Sequence, residues 1–155
     1  MNKEPKPTAE LIKLLEEHEK SIGALYEAFA SLFPLFKKEW LDFAEEEYLH
    51  AGWIKKLHTH QQHGKIAFQQ TRITIQSIKT AINYLETQKD RALAEKPDLA
   101  KCLDLAINVE KSLLEGSFFK VFQLTTPETQ KIREKLEKAT RTHINELGQW
   151  RAGMR

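Results

Sequence analysis

Apolar residues recur along the chain at alternating spacings of three and four, the signature of helices with one face turned to a core. One stripe reads Leu15, Glu19, Ile22, Tyr26, Phe29 and Phe33, and a second reads Trp40, Phe43, Glu47, His50, Ile54 and Leu57. Two later stripes run Leu99, Leu103, Ala106, Glu110, Leu113, Ser117 and Ile132, Leu136, Ala139 or Thr140, His143, Leu147, Trp150. Punctuation places the helix ends. Thr8 can cap a first helix that runs to Phe33, where Pro34 interrupts; a second helix follows directly and ends near Gly64. A third spans about Thr74 to Ala94, and a fourth runs from near Asp98 to near Leu124. Thr126 and Pro127 supply the cap and first-turn residue of a fifth. No stretch alternates long enough to predict a strand, because ITIQSI at 73–78 continues through Ile82 and Leu85 at helical spacing.

The stripes share one anomaly. Glu19, Glu47 with His50, Glu110 and His143 each interrupt an apolar face near its middle. An ionised carboxylate in an apolar interior costs several kcal/mol unless it is paired or bound to a cation. The third helix is the internal control, since Ile75, Ile78, Ile82 and Leu85 run without acid or histidine, as suits a connector. Glu47 and His50 stand three apart on one face, so both can reach one centre. Carboxylates and imidazoles from four facing helices suit iron or manganese. The plainer alternative is a polar core of boundary glutamates and hydrogen-bonded histidines.

Composition removes several competing functions. The 155 residues fit one domain, 1–155, able to bury its own core. Basic and acidic residues, 24 against 22, are interspersed, which leaves no polybasic surface for nucleic acid or membrane. Cys102 is the single cysteine, so an intrachain disulfide and any Cys-x-x-Cys metal site are excluded, and a packed small residue is the expected role. The polar opening MNKEPKPTAE and the lack of a 20-residue apolar run predict a soluble, cytoplasmic protein. HTHQQH at 58–63 reads as a solvated helix end. Tyr26, seven residues after Glu19, shares its face; an ordinary core tyrosine is the first expectation, and a hydrogen bond to the cluster is the alternative.

HEKSIGALYEAFASLFP, FAEEEYLHA and AINVEKSLLEGSFF resemble three ligand helices of the rubrerythrin-related branch of the ferritin-like di-iron proteins. The resemblance covers most of the chain. It implies an all-α fold, a ferritin-like four-helix bundle whose long crossover, 64–97, carries the extra helix. It also implies Glu19, Glu47, His50, Glu110 and His143 as metal ligands, one or two iron ions with manganese as a substitute, and redox chemistry with peroxide or oxygen. Without a Cys-x-x-Cys electron-transfer module, electrons would come from a separate donor. A homodimer is the expected assembly. In the last segment, LEKATRTHINEL, Thr140 stands where the pattern has a glutamate; Glu146 and Glu137 are poorer substitutes by spacing. That departure leaves a non-catalytic ferritin-like binding or scaffold protein as the second expectation.

Overall fold

The computed structural model describes residues 6–62, 66–68, 74–115, 122–124 and 126–154, with side chains described at 9–59, 74–113 and 126–154. Five α-helices carry the chain: α1 (Lys6–Leu32), α2 (Lys37–Gln62), α3 (Ile75–Glu95), α4 (Leu99–Glu115) and α5 (Pro127–Ala152). Pro34 opens a single 3-10 turn, Pro34–Phe36, which reverses the chain so that α2 returns along α1. Thr74 and Ser77 form a reciprocal cap at the start of α3, and Thr126 and Thr129 do the same for α5, with Pro127 in its first turn. Asp98 Oδ1 accepts from the Lys101 amide at the start of α4. At the other end of α3, Lys96 takes up a left-handed backbone, φ 50°, immediately before Pro97.

Three expectations are corrected. α1 begins at Lys6, so Thr8 lies inside it. α4 is described over Leu99–Glu115 and does not reach Leu124, which lies in a strand. Phe122–Leu124 forms a strand, β2, that pairs antiparallel with β1, Ile66–Phe68, in the register Ile66 to Leu124. The ribbon links the α2–α3 and α4–α5 connections, so the latter is longer than a single turn.

The helix directions follow from the contacts. Tyr48 on α2 meets Glu27 on α1 while His50 meets Glu19, so α1 and α2 run antiparallel. Arg151 to Asp104 and His143 to Glu110 set α5 antiparallel to α4. Trp40 to Trp150 and Glu47 to His143 set α5 antiparallel to α2. α3 packs against α1 through Ile78, Leu85 and Ala92. Near the Pro34 turn the core is aromatic, with Phe29 and Trp40 rings 4.9 Å apart and Trp40 and Trp150 rings 5.1 Å apart. Farther along the same helices it is aliphatic, from Leu11, Leu15, Ile54, Leu57, Leu113 and Leu136. Among the described residues no helix is long and apolar enough to cross a membrane.

Candidate metal centre

Between these layers the five interrupting residues meet. Glu19, Glu47, His50, Glu110 and His143 are each 2% exposed or less. The two imidazoles stack, ring centroids 5.2 Å apart and 30° between planes. His50 Nδ1 lies 3.5 Å from Glu47 Oε2 and 3.7 Å from Glu19 Oε1. His143 Nδ1 lies 2.8 Å from Glu47 Oε2 and 3.5 Å from Glu110 Oε2. One donor atom from each of Glu47, His50 and His143 falls within 4.8 Å of the others, the spacing that one cation can satisfy.

These contacts are ion-pair approaches whose alignment falls short of ordinary hydrogen-bond geometry. Both oxygens of Glu19 and of Glu47, one of Glu110 and the Nδ1 atoms of His50 and His143 have no aligned partner among the described residues. Burying seven such atoms is costly, because the ion-pair approaches between the carboxylates and the imidazoles replace the lost water only in part. No lysine or arginine is buried among the described residues, so no cationic side chain lies buried beside these carboxylates. The titration behaviour follows. Burial pushes Glu47 well above its ordinary value, reinforced by Glu110 and Glu19, and burial likewise raises Glu19. For His143 burial acts downward, but the Glu110 and Glu47 carboxylates beside it prevail and raise it to about 11.

The surroundings fix the donors in place. The Tyr26 hydroxyl donates to Glu110 Oε2 over 2.6 Å. Burial, then Glu110 and Glu47, hold this phenol well above its ordinary value of 10.0, so it stays a donor. Trp53 stacks on His50 at 5.1 Å, and Phe43 meets His143 edge-on at 5.2 Å. Thr140 is fully buried one turn before His143, which settles the register of the α5 stripe in its favour over the half-buried Ala139. Its hydroxyl donates to the Leu136 carbonyl at 2.8 Å, a bond within its own helix.

Two residues stand beyond the sequence reading. Glu46, 53% exposed, reaches His143 Nε2 from the solvent side, and Glu146 joins them as a second, outer donor group. His18 is buried next to Glu19, and its burial lowers it to about 4 against the opposing pull of Glu110. The stripe Leu11, Leu15, His18, Ile22, Leu25 carried the signal for His18. Cys102 is packed, its thiol pushed up to about 12 by burial and Asp98, so it stays protonated. Of HTHQQH, His58 is half-buried and Thr59 exposed, and the other side chains lie outside the described residues, as does that of Ser117.

Two clefts flank the cluster. One, of about 470 Å³, has an acidic lining that includes Glu39, Asp42, Glu46 and Glu146. The other, of about 330 Å³, lies between α2 and α5 and reaches His50 and His143. No family model, curated protein or solved structure matches the chain.

Proposed function

We propose that the protein is a non-haem metal protein of the ferritin-like, rubrerythrin-related class, with Glu19, Glu47, His50, Glu110 and His143 as the ligands of iron, one ion or two, or of manganese. The observation that carries this reading is the set of seven buried carboxylate and imidazole atoms, drawn from four helices, that have no aligned hydrogen bond among the described residues. Their chemistry fits a hard or borderline divalent cation. The helix course supports the class: α1 and α2 form one antiparallel pair, α4 and α5 another, and α3 in the connection between them contributes no donor to the cluster.

When bound, a pair of ferrous ions would supply the two electrons that take hydrogen peroxide and two protons to two waters, and an external donor would return them. The chain's own residues bind, orient and exclude water. Glu47, His50 and His143 make the buried donor set, with Glu19 beside His50 and Glu110 beside His143. Tyr26 orients Glu110, as an outer partner does in ordinary metal sites. Phe43 and Trp53 sheathe the two imidazoles.

A second reading, a ferritin-like scaffold that has given up catalysis, draws support from Thr140, whose hydroxyl is committed to Leu136. Anaerobic Fe(II) titration followed by peroxide separates the two. The oxidoreductase reading expects one to two irons per chain and a ferric charge-transfer band. One iron without that band would sink the di-iron version, and less than about a tenth of an equivalent after reconstitution would favour the scaffold.

A further inference from the structure

The cleft between α2 and α5 differs from its acidic neighbour in its chemistry. Its walls are apolar: Leu49, 55% exposed, faces it from α2 beside the half-buried Trp53, and Ala139 lines it from α5. Ala139 has the smallest side chain of that lining. At the rim stand the exposed Lys135 and Lys138, with Lys135 Nζ 4.5 Å from the centre of the Trp53 ring. The one acid of this wall is Glu46, whose carboxylate is already engaged by His143. A volume of about 330 Å³ is that of a small ordinary ligand site, and an apolar pocket with a few polar groups is the usual form of one.

We infer that this seam is a binding site for small amphipathic carboxylates, the apolar body lying on Leu49, Trp53 and Ala139 towards the two imidazoles and the carboxylate held by Lys135 and Lys138 at the mouth. Charge complementarity selects the anion, since the rim is cationic here while the other cleft beside His143 is acidic. Burial of the open apolar wall favours the body. Recognition of this kind stands whether or not the carboxylate–histidine cluster holds metal, so it is tested on metal-free protein.

The probe is sodium octanoate, with octanamide as its uncharged counterpart, measured by calorimetry and by tryptophan emission on the full chain in chelator. One octanoate per chain should bind saturably and shift the emission, and Trp53→Phe should abolish the emission response. Octanamide, or Lys135→Ala with Lys138→Ala, should bind about threefold or more weakly. Ala139→Leu, which fills the seam, should remove binding while the helical circular dichroism and cooperative melt persist. Absence of saturable heat up to about 10 mM octanoate would overturn the proposal, because even millimolar affinity registers there. So would equal binding of the amide, or unchanged binding in Ala139→Leu. A concentration-dependent dimer in sedimentation that octanoate leaves intact would assign the seam to a second copy and would equally overturn it.

Discussion

Tyr26→Phe removes one oxygen atom from the centre of the molecule. The ring is fully buried and packs on Trp40 at 5.6 Å, Phe43 at 6.2 Å and Phe29 at 6.4 Å, contacts that phenylalanine keeps. What is lost is the 2.6 Å hydrogen bond to Glu110 Oε2. Since Glu110 Oε1 already lacks an aligned partner, the substitution leaves the carboxyl group with only the 3.5 Å approach of His143 Nδ1 among the described residues. A hydrogen bond to a charged acceptor is worth about 1.5–3 kcal/mol. For a chain of this size each kcal/mol moves the melting temperature by roughly 2–4 °C, so a fall of about 3–12 °C is expected in the metal-free protein. Loss of an outer partner to a ligand weakens metal binding by about 10- to 100-fold. Thermal melts by circular dichroism and Mn(II) titration by calorimetry read the two effects separately, because lost packing alone would lower the melt and leave Mn(II) affinity in place. A variant that melts within about 1 °C of the parent and binds Mn(II) equally well would refute the role given to Tyr26 and Glu110.

Other outcomes follow from the same geometry. Thr140→Glu places a fourth buried carboxyl beside the cluster and should cost several kcal/mol without metal, recovered on adding Fe(II) or Mn(II) with occupancy rising towards two per chain; equal destabilisation with and without metal would show that residue 140 does not reach the ions. Glu47 and Glu19 are raised above 4.5 and His143 above 6.5, so the folded metal-free protein holds protons that the unfolded chain releases, and this stabilisation is lost as pH rises through their folded values. His18, lowered to about 4, acts oppositely and only on the acid side, as pH falls from 6.5 through about 4. Melts in chelator should therefore decline from about pH 6.5 to about pH 9, and a rising trend would contradict the cluster's electrostatics. Thr126→Ala removes the cap of α5 and should cost about 1 kcal/mol in the melt while metal stoichiometry stays at the parent value.

The helices were legible because their punctuation is local: Pro34, Thr74 and the Thr126–Pro127 pair act through bonds within a few residues. The five candidate ligands were legible for a related reason, since a stripe at helical spacing states which way each side chain points before any partner is known. The end of α4 was missed because apolar residues continue through Phe118, Phe119, Val121 and Phe122, so the pattern does not mark where helix gives way to the strand at Phe122–Leu124. The β1–β2 ribbon pairs two segments of three residues each, too short to alternate visibly. Glu46 escaped because it lies on the solvent flank of α2; it meets His143 only where α5 crosses, and no spacing within one helix encodes where another helix will pass.

Anomalous diffraction from crystals grown with Mn(II) or Fe(II) tests the central claim most directly, since it locates the ion without reference to activity. The account predicts a peak enclosed by Glu47, His50 and His143, within about 2.0–2.3 Å of their donor atoms, with any second peak on the Glu19 or Glu110 side. A map with no peak there, or with metal only in the outer group of Glu46, His143 and Glu146, would contradict it.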